Sequence, residues 1–510
     1  MKSIHTNADG NAPAIEKKSV QYLSKSLFIR GLQCHKSLYL EKFHPELKAE
    51  TSAETQALFD SGHSVGEAAH GLFPGGVLVP YIENNIAEQL RQTREAMNNK
   101  AKVIYEASFQ HDEIFVKVDI LRKNRSGWEL YEVKGGTSLK PVYVEDTALQ
   151  YHVLTGAGIK VSKVFISYIN NGYVRNGELD VRQLFTCEDI TAQVKEKQPD
   201  VVDQLNKQRR MLHGKLPKID IGPHCSDPYT CSFREHCWQH IPADSVFDLR
   251  EKGIDPFDLY TQSIIEQKDI PLDTLNKRQR QQVESTRTKQ NTIDPEKIAS
   301  FLETLSYPLY FLDFETFMSA IPLHDGVKPY QHLPFQYSLH YRKKKGGKLY
   351  HTEFLALPAI DPRKPFLKSL LADMPENVCI LTYNMAFEKR VLSELAARYP
   401  EHQQKIDNWK ENILDLMVPF RQRDVYYWQF KGSYSIKNVL PVLVPELSYE
   451  GLEIADGGAA MSAYHQMCAA WYDPEALEQI RCNLLAYCKL DTLAMVRILD
   501  CLGDLRYAQP

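Results

Sequence analysis

The stretch FVKVDILRKNRSGWELYEVKG (115–135) decides the reading of the N-terminal half. Two runs of alternating β-branched and aromatic residues, 113–123 and 128–135, flank the turn signal NRSG (124–127), so the spacing predicts a β-hairpin. Asp119 lies on the first strand. Glu132 and Lys134, two residues apart on the second, share one strand face, and hairpin pairing is expected to bring Asp119 beside them. Two carboxylates on adjacent strands suit a hard divalent cation such as Mg²⁺ or Mn²⁺. A neighbouring lysine can then position water or stabilise the charge that develops on a phosphate. Upstream, GEAAH (66–70) offers His70 from a helix as a nitrogen ligand to the same metal. Downstream, a helix predicted from Thr147 to Ala157 offers Gln150 to hold the water or the lysine.

A second acidic pattern opens the C-terminal half. PLYFLDFET (308–316) is a short apolar strand with Asp313 and Glu315 on one face. Carboxylates among aliphatic and aromatic neighbours are costly unless a metal compensates them. FQYSLHYR (335–342) and KLYHTEFL (348–355) flank KKKGG, a hairpin turn. VCILTYN (378–384) reads as a buried strand, followed by a helix that carries Glu388 just after Asn384. ILDLMVPF (413–420) begins another strand and carries Asp415. The run 474–502 is a long amphipathic helix, on which Tyr487 and Asp491 are four apart and share a face. Asp313, Glu315, Glu388 and Asp491 could together hold two divalent ions about 4 Å apart.

Ten cysteines in 510 residues are too sparse for a disulfide scaffold. Three of them, Cys225, Cys231 and Cys237, nevertheless fall within thirteen residues, which points to a metal centre in a reducing compartment. The helix predicted from Lys25 to Phe43 carries a fourth, Cys34. Hydrophobic residues make up 43% of the chain and charged residues 25%, which excludes a mostly disordered or fibrous protein. Sixty-one basic against 65 acidic residues leave a net charge of −4. Nucleic-acid binding must therefore come from local clusters, such as Lys277–Lys289 and Arg342–Lys345, or from aromatics at Tyr426, Tyr427 and Trp428. No run approaches the ~18 apolar residues of a membrane span, and the polar start lacks a secretory core, so a cytoplasmic protein without a membrane partner is expected. The expected organisation is a polar tail (1–18), a first domain (19–242), a charged helical linker (243–300) and a second domain (301–510).

Taken in order, the G-x-x-x-H helix, the aspartate strand, the E-x-K strand and the glutamine helix resemble the RecB-type branch of the PD-(D/E)XK nucleases, especially the CRISPR-associated RecB-like exonucleases. The resemblance implies a restriction-endonuclease-like α/β domain with His70, Asp119 and Glu132 as metal ligands, Lys134 catalytic and Gln150 accessory. The sequence departs from that branch after Gln150, where Leu154 replaces a frequent tyrosine and Tyr151 follows directly. The same branch carries a 4Fe-4S cluster, with one cysteine before the nuclease core and three after it. Cys34, Cys225, Cys231 and Cys237 match this set, and the cluster's role would be structural. Their C-x5-C-x5-C spacing is wider than in the relatives, and Zn²⁺ with His224, His236 or His240 is the alternative.

The C-terminal half resembles the RNase H-like fold of DnaQ-type exonucleases with the DEDD signature. Asp313 and Glu315 match the D-x-E motif, and Tyr487 with Asp491 matches Y-x-x-x-D. Glu388 stands where the second motif has aspartate. The whole arrangement resembles a bacterial fusion family that pairs these two nuclease folds. The resemblances imply a metal-dependent nuclease acting on DNA or RNA, with a 3′–5′ exonuclease as its C-terminal centre. The competing reading is a non-catalytic nucleic-acid-binding or scaffold protein with one or both centres inactive.

Overall fold

The computed structural model describes residues 23–51, 53–83, 85–358, 360–469 and 473–507; the expected polar tail lies outside them. The chain divides into two compact units. The first comprises residues 1–49, 66–169 and 185–236, and the second residues 50–65, 170–184 and 237–510. Both are mixed α/β.

The first unit is built on a seven-stranded sheet. Its strands are β1 (Leu23–Ser24), β2 (Val77–Leu78), β3 (Val103–His111), β4 (Ile114–Lys123), β5 (Trp128–Lys134), β6 (Val161–Ile169) and β7 (Phe185–Asp189), and β2 to β7 lie in that spatial order. The expected hairpin is present: β4 and β5 pair antiparallel from Ile120↔Tyr131 to Lys123↔Trp128. At the other end of β4, the short β1 runs parallel to it through Leu23↔Ile114 and Ser24↔Phe115. The edge of β4 is thus shared between two strands, with residues 116–119 left between them. Asp119 stands in that gap. Continuing the hairpin register places it opposite Glu132.

Helix α1 (Lys25–Gln33) starts immediately after β1, with Ser24 accepting from the Leu27 N–H as its cap. It does not continue to Phe43. Cys34 is extended (φ −161°) and ends α1, and α2 (His35–Phe43) starts anew from it. Helix α3 (Ala53–Ala69) leads into a 3₁₀ turn at His70–Leu72, and α4 (Ile86–Asn98) precedes β3. Helix α5 (Pro141–Gly156) is the crossover between the parallel strands β5 and β6. It begins six residues before its expected start because Pro141 suits a first helical turn. Its inward face, Ala148, Leu149, Val153 and Leu154, packs on Val118, Leu130 and Ile166 in the core. Leu154 is fully buried there, which gives a packing reason for an aliphatic residue at that position.

In the second unit, β9 (Leu309–Phe317), β10 (Leu333–Arg342), β11 (Leu349–Leu355), β12 (Cys379–Thr382) and β13 (Ile413–Asp415) form a five-stranded sheet ordered β11-β10-β9-β12-β13. The first three are antiparallel, while β12 runs parallel to β9 and β13 parallel to β12. The central strand β9 packs on both faces, with Phe311 and Leu309 in one core and Leu312 and Phe314 in another. The long helix Pro474–Leu505 contributes Val496, Ile498 and Leu502 to the first of these.

Residues 243–300 contain short helices and 3₁₀ turns, with the helix Lys277–Thr288 the longest among them. They have a core of their own (Val246, Leu249, Leu259, Ile270, Leu275, Val283). Their strand β8 (Thr292–Ile293) pairs with β14 (Val425–Tyr426). Arg342 of the expected basic cluster is tied by two hydrogen bonds, 2.5 and 2.8 Å, to Asp500, and Tyr426 is a core residue.

Phe311, fully buried on the central strand, carries a direct test of this core. Phe311→Ala is expected to cost about 3–5 kcal/mol, read as a lowered urea midpoint for the second unit's transition.

Candidate functional site

The second unit holds the tightest acidic group among the described residues. One oxygen each of Asp313, Glu315 and Asp491 lies within 4.8 Å of the others. Strand alternation puts Asp313 and Glu315 on one face of β9, and the long helix brings Asp491 against it. Burial pushes the Asp313 carboxyl well above its ordinary range, with Asp491, Glu315 and Glu388 adding repulsion. Glu315 is pushed up in the same way, by burial and then by Asp491. Asp491 rises to about 7 through burial, opposed by hydrogen bonds from Tyr449 and Tyr487 and by the charge of Lys437. The Tyr449 hydroxyl donates to Asp491 Oδ1 at 2.6 Å. Cys488, one turn from Asp491 and fully buried, places Sγ 3.8 Å from Asp313 Oδ2.

Glu388 lies outside that three-carboxylate group, although its charge reaches Asp313 and Glu315. It is buried, its Oε2 has no hydrogen-bond partner, and burial raises it to about 8. Asp415 has a scaffolding part: its Oδ1 accepts from the backbone N–H groups of Asn384 and Met417, both at 3.0 Å. Asn384 is left-handed (φ 78°), and this clamp fixes the turn from which Glu388's helix starts.

The first unit holds a different kind of site. Glu132, 1% exposed, accepts three hydrogen bonds: from Lys134 Nζ (2.6 Å) and Lys25 Nζ (2.7 Å) on Oε1, and from Gln150 Nε2 (2.6 Å) on Oε2. Lys134 also donates to Asp146 Oδ2 at 2.7 Å. Gln150 therefore holds the carboxylate rather than the lysine. Burial alone would raise Glu132, but Lys134 and Lys25 outweigh it and hold the carboxyl well below its usual range. Asp119 accepts from the Val133 N–H at 2.6 Å. It rises to about 8 through burial and the charge of Glu132.

His70 stacks on Tyr105, with ring centroids 4.0 Å apart, and the carboxylates whose charges reach it are Glu106 and Glu67. Glu106 lies between the pairs Tyr105↔Ile120 and Ala107↔Val118 of β3 and β4, in a left-handed conformation (φ 56°), and its charge reaches Asp119. The structure thus joins Asp119, Glu132, Lys134 and Gln150, and places His70 next to Glu106. Lys25, Asp146 and Glu106 were not singled out in the sequence. Asp146 alone had a legible signal, since it lies one helical turn before Gln150.

Of the four cysteines, Cys225 and Cys231 lie within electrostatic reach of Cys34, whose thiol burial pushes up. The Cys231 thiol donates to Ser37 Oγ at 3.3 Å. Gln33 Nε2 donates to the carbonyls of His224 and Tyr229, both at 2.7 Å, fixing the cysteine loop to α1. Cys237 ends the short helix Arg234–Cys237 and is the first residue of this stretch counted in the second unit. No disulfide joins cysteines among the described residues.

Residues 310–435 match a family described as "Domain of unknown function (DUF2779)". The matched segment starts just before Asp313 and includes Glu388 and Asp415. Over 219 residues the chain is 26% identical to "Uncharacterized protein MG366 homolog" of Mycoplasma pneumoniae, covering 40% of this chain and 33% of that protein. Over 212 residues it is 24% identical to "Uncharacterized protein MG366" of Mycoplasma genitalium, covering 38% and 32%. The matched part is about a third of the length of these relatives. No helix among the described residues is long and apolar enough to cross a membrane.

Carboxyls held above their unfolded range bind protons that the unfolded chain has released, so they make stability fall as pH rises between the two values. For Glu388 (about 8) and Asp491 (about 7) that window runs from about pH 4 upward. In EDTA, the second unit is expected to lose stability between pH 5 and pH 8 in thermal melts, and Glu388→Gln is expected to flatten the slope.

Proposed function

We propose that the chain is a metal-dependent nuclease with two hydrolytic centres. The observation that carries this reading is the buried convergence of Asp313, Glu315 and Asp491. Such a group is an acidic donor set of hard oxygens, suited to Mg²⁺ or Mn²⁺, and its raised pKa values express an unmet need for positive charge. The strand order β11-β10-β9-β12-β13, with three antiparallel strands followed by two parallel ones, agrees with an RNase H-like domain. Asp313, Glu315 and Asp491 would hold the ions, and Glu388 would join them from its neighbouring helix. When bound, the ions would supply an activated water and stabilise the leaving oxygen. Tyr449 orients Asp491 through its hydroxyl, Tyr487 helps hold the same carboxyl down, and the charge of the exposed Lys437 reaches Asp491 and Glu315. This centre would trim DNA or RNA from a 3′ end.

The first unit would be the RecB-like PD-(D/E)XK nuclease acting on DNA. Asp119 and Glu132 would hold its ion, with Lys134 beside the scissile phosphate and Gln150 orienting Glu132. Cys34, Cys225, Cys231 and Cys237 would ligate a structural 4Fe-4S cluster; four thiolates are what such a cluster requires. The position of Glu388 outside the three-carboxylate group favours one second reading, a C-terminal unit that binds nucleic acid without cleaving it.

Incubating the full chain with end-labelled DNA and RNA in Mg²⁺ or Mn²⁺ separates these readings. Degradation is expected, with Asp119→Ala and Asp313→Ala each removing one component by at least about a hundredfold, a loss of about 2.7 kcal/mol in transition-state stabilisation. Activity unchanged in both variants would refute the catalytic assignment. Anaerobic purification should give a brown protein with about four irons per chain, and a colourless protein containing zinc would select the alternative metal.

A further inference from the structure

In the second unit Asp491 repels both Asp313 and Glu315, so nothing within the acidic group holds the long helix against β9. What holds it lies one residue along the helix and one strand along the sheet. β10 pairs with β9 so that Ser338 stands opposite Asp313, Gln336 opposite Glu315 and His340 opposite Phe311. Cross-strand partners share a sheet face, so these three buried β10 side chains lie on the same face as the carboxylates.

That face is tied to the long helix at three points. Gln336 Nε2 donates to the Leu484 carbonyl at 2.7 Å. Thr492 Oγ1 lies 2.6 Å from Ser338 Oγ and 2.7 Å from His340 Nδ1. Arg342 donates two hydrogen bonds to Asp500. Successive ties are about 12 Å apart along the helix and about 10 Å apart along the strand, so the two elements run side by side past the acidic group.

The middle tie adjoins both ligand-bearing positions. A threonine hydroxyl has one proton and two lone pairs. Thr492 donates to the Lys489 carbonyl at 3.2 Å, which leaves it to accept from the Ser338 hydroxyl and from His340 Nδ1–H. Ser338, its proton spent, accepts from His351 Nε2 at 3.0 Å, and the His351 ring lies 4.3 Å from that of His340. Burial lowers His340 to about 3 and His351 to about 4, so the tie adds no charge at pH 7. Ser338 is in register with Asp313, and Thr492 follows Asp491 in the chain. The helix therefore cannot slide or turn on β10 without moving Asp491 relative to Asp313.

Resting on the reading of the acidic group as a divalent-ion site, we propose that Thr492, Ser338 and His340 are positioning residues for that ion: they set the separation of Asp491 from Asp313 without themselves touching the ion. The Arg342–Asp500 tie, about two turns further along the helix, serves stability alone.

The test uses the full chain carrying Asp119→Ala, which disables the acidic site of the first unit. Two quantities are read: Mn²⁺ affinity by isothermal titration below the melting range, and the thermal midpoint in EDTA. Thr492→Val keeps the shape of the side chain and deletes its hydroxyl. Its Mn²⁺ affinity is expected to fall about tenfold, as happens when a residue supporting a metal ligand is lost. Thr492→Ser, which keeps the hydroxyl, should stay within about threefold of the parent, and Ser338→Ala should fall about as far as Thr492→Val. Asp500→Ala should lower the midpoint but leave Mn²⁺ affinity within about threefold. Lowered midpoints with unchanged Mn²⁺ affinity in Thr492→Val and Ser338→Ala would show the tie to be structural only and overturn the proposal. An equal loss of affinity in Asp500→Ala or in Thr492→Ser would overturn it as well. Should Thr492→Val fail to fold, Ser338→Ala against Asp500→Ala decides by the same criterion. Absence of Mn²⁺ uptake by the Asp119→Ala parent would instead overturn the reading of the acidic group as an ion site.

Discussion

Burying carboxylates inside an apolar sheet is the constraint on which this molecule turns. A carboxylate deprived of water must find a cation, accept hydrogen bonds or keep its proton. The two units meet that demand differently. In the first, Glu132 stays ionised because Lys25, Lys134 and Gln150 all donate to it. In the second, a tyrosine hydroxyl meets Asp491, while burial pushes Asp313 and Glu315 well above their ordinary range and Glu388 up to about 8.

The folds create these situations by simple means. In the first unit, β4 changes partner along its edge from β1 to β5, leaving Asp119 in the gap, and Lys25, directly after β1, reaches Glu132. In the second, a central strand with both faces buried leaves no solvent-facing side for the alternating Asp313 and Glu315. The nearby polar groups are shaped to the same end. Asp415 spends its hydrogen bonds on the left-handed Asn384, and Thr492, next to Asp491, is held by Ser338 at 2.6 Å and His340 at 2.7 Å.

Much of this was legible in the sequence. Period-two alternation around NRSG located the hairpin and hence the Asp119–Glu132 pair, and D-x-E in an apolar run with Y-x-x-x-D on a long helix gave three carboxylates that meet. What escaped were side chains whose element carries no chemical pattern. Lys25 begins a helix whose visible feature was Cys34, and Tyr449 arrives from an irregular stretch. Glu106 lies in a strand where only its left-handed backbone sets it apart. The break at Cys34 was hidden because helical periodicity runs through it on both sides, whereas the extended conformation of a single residue leaves no periodic trace.

The central claim is that the carboxylates of the second unit converge to take up divalent cations. Isothermal titration of the metal-free protein with Mn²⁺, compared with Asp491→Asn, measures this most directly. The account predicts saturable binding that is lost or severely weakened in the variant, accompanied by proton release as the raised carboxyls ionise. Equal Mn²⁺ uptake by both proteins, or none by either, would contradict it.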